Sequence, residues 1–263
     1  MESDLILLEH RDGVLIVTLN RPHVLNSFNG AMASALRDAL QRAAEDGAVR
    51  CVLLTGSGRA FCAGQDLAAA LPDEQGVMPD LGDIIRRDYN PIIRAIRTLE
   101  KPVVCAVNGV AAGAGANLAF ACDLTIAAES ATFIQSFAKL GLIPDGGGTF
   151  ILPRIVGLQR AAALTMLGEK LPAPLAKDWG LVVDVVPDAE LADRSFAMAQ
   201  RLAAMPTRGI GLAKRGLNAS FAHTLDEQLD LEETLQREAG RSADYAEGVR
   251  AFIGKRKPVF EGR

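Results

Sequence analysis

The sequence predicts an α/β protein: a largely parallel sheet flanked by helices, followed by a C-terminal region that is helical alone. Three observations carry this expectation. Apolar, strand-like runs alternate with helical stretches up to about residue 190, the pattern of crossover units on a parallel sheet. Glycine-bearing turns follow the second and third of those runs, where such sheets place their sites. No strand-like run occurs after Leu191. Residues 1–190 are therefore read as a core that holds the site, and residues 191–263 as a helical region that packs against its own core or a neighbour. The chain has 263 residues and is 49% hydrophobic, enough for a substantial core.

Taken in order, "GVLIVTLNRP" from Gly13 reads as a buried strand that stops at Asn20, before Pro22. From Ser27 the period changes: Met32, Leu36, Leu40 and Ala43 recur at spacings of three and four and share a helical face. Gly47 ends that helix. "VRCVLLTG" to Gly56 is a second strand, and "KPVVCAVNG" to Gly109 is a third, with Pro102 tolerated at its start. "CDLTIAAES" is a fourth, followed by the short "ATFI", and "GLVVDVVP" is the last. Residues 66–100 differ from the rest: "LPDEQGVMPDLGD", with its prolines and acids, reads as a mobile loop before a helix from about Asp83 to Leu99. Near the end, Leu225, Leu229 and Leu235 mark one amphipathic helix.

Composition narrows the function. The net charge is −4 and no basic block exceeds "GKRK" at Gly254, which argues against a nucleic-acid surface. The opening "MESDLILLEH" is too acidic and too short in apolar run for a signal peptide, and the expectation is that no apolar run of transmembrane length occurs. Cys51, Cys62, Cys105 and Cys122 are scattered through apolar segments and read as buried thiols of a reducing compartment. A cytoplasmic protein is the expectation. His10, His23 and His223 lack metal-ligand spacing, so no metal site is expected. There is no nucleophile elbow and no P-loop, and "GAGANL" lacks the third glycine of a dinucleotide fingerprint.

What remains is two turns and an acid. "FCAGQDL" follows the second strand and "NGVAAGAGANL" the third; each can leave backbone N–H groups pointing into a cleft, where two of them can hold an oxyanion. "GLIPDGGGTF" places Asp145 alone among glycines and apolar neighbours. Either that acid caps its own turn, accepting from Gly147 or Gly148, or it does chemistry.

"LNRPHVLNSF", "LLTGSGRAFCAGQDL", "KPVVCAVNGVAAGAGANLAFACDLTIAAESATF" and "KLGLIPDGGGTFILPRIVG", in this order and spacing, resemble the enoyl-CoA hydratase/isomerase (crotonase) superfamily over essentially the whole chain. The resemblance implies a ClpP/crotonase-like spiral of strand–strand–helix units and a C-terminal helical region that builds a homotrimer or a dimer of trimers. It implies acyl-CoA thioester substrates, with coenzyme A as part of the substrate and no separate cofactor. It assigns the two oxyanion-hole N–H groups to Gln65 and Ala114, with alanine where the family often has glycine. It lines the CoA pocket with Ala63, Gln65 and Leu67, and it points Lys255 and Lys257 at the CoA phosphates, across a subunit boundary.

The same resemblance separates reactions. Hydratases of the family carry glutamates at two positions that here are Asn117 and Phe137, neither of which moves a proton, so both become walls of the acyl pocket. Asp145 stands where several isomerases of the family carry an aspartate acid/base. Aryl dehalogenases use that aspartate with a histidine and a tryptophan, but Phe137 occupies the tryptophan position, Trp179 lies elsewhere, and no histidine falls between His23 and His223. The wording most resembles isomerases of phenylacetate breakdown, acting on ring-1,2-epoxyphenylacetyl-CoA. A 2-enoyl-CoA hydratase and a non-catalytic acyl-CoA-binding subunit remain as alternatives.

Overall fold

A computed structural model describes residues 4–72 and 75–263. Its centre is a six-stranded sheet ordered β1-β2-β3-β5-β7-β10, formed by Ile6–Arg11, Val14–Leu19, Cys51–Gly56, Val103–Val107, Leu124–Ala128 and Asp184–Val186. β1 pairs antiparallel with β2, and every later neighbour is parallel. A second sheet, ordered β4-β6-β8-β9, is made of three-residue strands: Ala60–Cys62, Val110–Ala112, Thr132–Ile134 and Lys170–Pro172. The chain therefore advances by repeating units. A long strand in the first sheet is followed by a short strand in the second and then by helix, in β3-β4, β5-β6 and β7-β8. This is the expected spiral.

Residues buried on both faces explain the central strands. Cys51 to Leu54 and all of β5 are buried, as parallel strands covered by helices must be. Helix α1 (Gly30–Glu45) is capped by the Asn29 side chain and buries Met32, Leu36, Leu40 and Ala43, the predicted face. It ends at Glu45, two residues before Gly47. α4 (Ala114–Ala121) is buried along its whole length, which its glycines and alanines permit. α5 (Gly148–Leu167) follows Asp145. Among the described helices α5 alone is long and apolar enough to cross a membrane, a feature the sequence reading misses; Pro153 lies inside it and Gly157 breaks it at φ 77°.

Other differences are local. β1, β4, β6 and β9 are absent from the sequence reading, because an exposed antiparallel edge and three-residue strands carry no period of their own. The last strand shrinks to Asp184–Val186. The helix expected from Asp83 to Leu99 is instead α2 (Leu81–Ile84), a wide π turn (Ile85–Tyr89) and α3 (Asn90–Thr98). Residues 73 and 74 of the expected mobile loop lie outside the described residues. α6 (Ala173–Asp178) links β9 to β10. Beyond it come α7 (Leu191–Ala203), α8 (Thr207–Ala219), α9 (Leu225–Ala239) and α10 (Ala243–Ile253). α7 buries Leu191, Ala199 and Ala203 on the central sheet. α8 is tied down by Lys214, buried, whose Nζ donates to Asp123 at 2.7 Å and to the Lys101 carbonyl at 3.2 Å.

Candidate active site

The parallel strands β3 and β5 end at Gly56 and Val107, and the chain turns there into the short second sheet. Both glycine-bearing turns start from that end. Gly64 has φ +95°, which an L side chain rarely adopts, and a Cβ on it would stand 2.8 Å from the Ala112 carbonyl oxygen and 3.5 Å from the Ala114 nitrogen. Gly115 lies so close to β4 that its Cβ would overlap the Cys62 carbonyl. These glycines are what allow the "CAGQD" and "GAG" turns to touch. Among the described residues, neither the Gln65 N–H nor the Ala114 N–H donates to any group of the chain. Ala114 is the first residue of α4, whose opening N–H groups have no partner within the helix and whose dipole favours negative charge there. The structure thus brings Gln65 and Ala114 together as two open donors.

A clasp from "LNRPHVLNSF" holds the first turn. Phe28 N–H donates to the Gly64 carbonyl and Asp66 N–H to the Phe28 carbonyl, each at 2.8 Å, so Phe28 and Gln65 pair like strand residues. Ala63 N–H donates to Leu25 O at 2.9 Å. Arg21 reaches Asp66 at 2.9 Å, and the buried Asn26 amide donates to the Ser57 and Ala60 carbonyls. Ala63 and Gln65 are half-buried beside the cleft, and Leu67 is exposed on the short turn that follows.

Asn117, one turn into α4, is fully buried. Its Nδ2 donates to the Asp145 main-chain carbonyl at 2.8 Å, and its Oδ1 accepts from Gln135 Nε2 at 2.9 Å. Gly148 carries no Cβ because the Asn117 amide occupies that space, 2.5 Å from the would-be atom. Phe137 is buried, with its ring 3.7 Å from the Cβ position of Gly113. Gly113, Asn117, Phe137 and the Asp145 turn therefore form one cluster. Gln135 is the part that sequence reasoning misses. Its signal is faint: an amide two residues from Phe137, at the end of an apolar strand.

The Asp145 carboxyl does not cap its turn. Gly148 N–H donates at 2.8 Å to the Asp145 main-chain oxygen, while the buried Oδ1 has no hydrogen-bond partner. Burial destabilises the charged form and pushes the pKa up to about 6; the residue's own N–H opposes this weakly. A carboxyl so poised can take and return a proton near neutral pH. Cys62, although adjacent to the first turn, is buried and its thiol is pushed up to about 12, so it is no nucleophile. Lys255 and Lys257 are not at this site. Their segment runs beside α10, and the chain end beyond it is fastened by Arg50 Nη1 donating to Phe260 O and by Asp244 accepting from the Glu261 and Gly262 N–H groups. Arg50 sits at the start of β3, the opposite end of the strand from the site.

Comparison with known proteins places the chain by sequence and fold. The chain is 53% identical over 260 residues to 1,2-epoxyphenylacetyl-CoA isomerase of Escherichia coli (strain K12), covering 99% of each. It is 45% identical to a probable enoyl-CoA hydratase of Rhodobacter capsulatus over the whole of both chains. The crystal structure of an enoyl-CoA hydratase from Bacillus anthracis superimposes with a TM-score of 0.92 at 33% identity, covering 99% of this chain and 100% of that one. The enoyl-CoA hydratase/isomerase family model matches residues 9–263, and with the spiral and its two touching turns the chain belongs to that family.

Proposed function

We propose that the chain is a CoA-thioester isomerase in which Gln65 and Ala114 hold the thioester oxygen and Asp145 moves the proton. Its substrate is 1,2-epoxyphenylacetyl-CoA, the compound named for the Escherichia coli relative, and 3-enoyl-CoA thioesters use the same parts. One observation carries this reading: Asp145 is a half-buried carboxyl whose Oδ1 has no partner and whose pKa is lifted toward neutrality, and the two neighbouring positions that would supply hydratase carboxylates are Asn117 and Phe137.

The chemistry follows from the parts. Asp145 takes a proton from the carbon next to the thioester. The electron pair moves onto the thioester oxygen as an enolate, where two fixed N–H groups meet the developing charge. The pair then returns through the conjugated system, and the far carbon receives the same proton from Asp145. No water is added and no cofactor is consumed; coenzyme A is the handle of the substrate. Phe137 and the mutually bonded amides of Asn117 and Gln135 leave no group to activate water. Ala63 and Leu67 flank the path of the CoA moiety, and Lys255 and Lys257 act on its phosphates only from a neighbouring subunit of a homotrimer or dimer of trimers. A cytoplasmic location fits the four buried free thiols.

The test is Asp145→Asn assayed on the epoxide thioester, 3-enoyl-CoA and crotonyl-CoA by mass spectrometry. Isomerisation is expected to fall by about 10²–10⁴-fold, the range for loss of an acid/base, with CoA-thioester binding retained. Unchanged turnover would rule the role out. Crotonyl-CoA hydration by the unsubstituted chain at rates matching isomerisation would favour the hydratase reading.

A further inference from the structure

We infer that the Tyr89 hydroxyl contacts the substrate and sets its class, donating a hydrogen bond to an oxygen carried on the ring of an aryl-acetyl thioester. This rests on the isomerase reading and deepens it.

The geometry comes from one helical face. Tyr89 closes the wide π turn Ile85–Tyr89, a form that recurs at functional sites because the extra residue re-aims side chains. Its ring is 6% exposed and meets Phe28 edge-on, with centroids 6.1 Å apart. Phe28 is the residue paired with Gln65 in the first oxyanion turn. Ile93, four residues on, shares the face of Tyr89. Ile93 lies against both glycines that follow Asp145: a Cβ on Gly146 or Gly147 would be 4.0 and 3.8 Å from it. The face therefore spans from the oxyanion turn to the acid turn, with the phenol between them. Burial, and next the charge of Asp145, raise the pKa of the phenol, so it stays a donor at working pH.

No group among the described residues hydrogen-bonds the hydroxyl, and its oxygen is not among the polar atoms sealed from solvent, so it stays open to a ligand. The donors of the nearby amides are engaged, Asn117 Nδ2 on Asp145 O and Gln135 Nε2 on Asn117 Oδ1, while Gln135 Oε1 is left as an acceptor without a partner. Beside Asp145 and the two oxyanion N–H groups, the phenol adds a hydrogen-bond donor for a ligand, which Gln135 Oε1, an acceptor only, cannot supply. Apolar walls with one further donor fit an acyl group bearing one acceptor. In the epoxide, the carbon–carbon bond under the oxygen breaks as the ring expands, while the oxygen keeps both of its carbon bonds. A hydrogen bond to that oxygen orients the ring without taking part in the proton transfer, which remains between carbon and Asp145. An unsaturated hydrocarbon chain offers no such acceptor.

The experiment compares Tyr89→Phe, which keeps the ring packed on Phe28, with the unsubstituted chain. Calorimetry measures the affinities of phenylacetyl-CoA and 2-hydroxyphenylacetyl-CoA, the latter carrying a ring oxygen. The unsubstituted chain is expected to prefer the hydroxylated thioester by about 3- to 10-fold, and Tyr89→Phe to lose that preference while holding phenylacetyl-CoA within about twofold. In turnover, Tyr89→Phe is expected to lose about tenfold or more on the epoxide thioester and less than about twofold on 3-enoyl-CoA. No preference in the unsubstituted chain, a preference that survives the substitution, or equal losses on both substrates would each overturn the inference. Binding does not depend on turnover. A chain that binds with the expected preference but isomerises neither substrate would refute the isomerase reading alone.

Discussion

The Asp145 carboxyl gives the residue scale a measurable signature. Its folded pKa is raised from 3.8 to about 6, so the folded chain holds the proton more tightly than the unfolded one. The sign then follows. The stability linked to this proton is fully present below about pH 3.8 and is lost as pH rises through about 6; above that, the buried ionised group costs up to about 3 kcal/mol. Asp145→Asn removes the charge. It is expected to melt several degrees higher than the unsubstituted chain at pH 8, with the gap closing toward pH 4. As the proposed base, Asp145 must be ionised to act, so kcat/KM should rise with pH to about 6 and then level. A melting gap that stays constant from pH 4 to 8 would remove burial of the charge as its origin. Asp145 stands out in the sequence as a lone acid among glycines, and the family resemblance, through the uncharged Asn117 and Phe137, is what singles it out for chemistry. Gln135 and Tyr89 are not legible, because what makes each matter is a contact 18 or more residues away, to Asn117 in one case and to Phe28 in the other.

At the scale of elements, the acid turn is aimed by neighbours. Strand β8 delivers Gln135, α4 delivers Asn117, and their amides form a chain that ends on the Asp145 carbonyl. Gln135→Leu breaks the first link and leaves the buried Asn117 Oδ1 without its donor, a loss of about 1–3 kcal/mol. Part is recovered, since Gln135 Oε1 is itself unpartnered and disappears with the side chain. The net expectation is about 1 kcal/mol of destabilisation by thermal melting, with kcat down roughly tenfold and KM little changed, because the acid is displaced while the CoA turn is untouched. An unchanged kcat in a variant that melts lower would show the pair to be packing only. The long strands and α1 are legible from apolar runs and from period. β4, β6 and β8 matter more to the site than the long strands do, yet three residues are too few to display alternation. The second sheet exists because parallel pairing joins segments about 20 to 50 residues apart, as Val110 joins both Ala60 and Thr132.

For the whole molecule, the assembly we propose rests on what the C-terminal helices leave uncovered. α7 and α8 bury residues on the core, but α9 and α10 expose a run of large apolar side chains. Leu225 and Leu229 are exposed on α9, Phe252 and Ile253 at the end of α10, and Val259 beyond it. Phe252 is 85% exposed, and burying such a side chain is worth roughly 1.5–3 kcal/mol. A surface of this kind marks an interface between chains. The polar residues of α9 already serve the fold: Glu238 pairs with Arg215 at 2.8 Å and also with Arg208, and both arginines reach Glu100. That network anchors one side of α9 to the core and leaves its apolar residues uncovered, where the proposed second copy would pack. Light scattering is therefore expected to give three times the 27.9 kDa chain mass, or six times if trimers stack. Phe252→Asp combined with Ile253→Asp would place charges where apolar contacts form, lowering the mass toward that of one chain. Circular dichroism of the spiral core should be retained, because neither side chain contributes to it. A single-chain mass for the unsubstituted protein would contradict the assembly. An unchanged mass for the double variant would move the interface to the other apolar surface, where Ile143, Leu158 and Met166 are exposed beside the Asp145 loop and along α5.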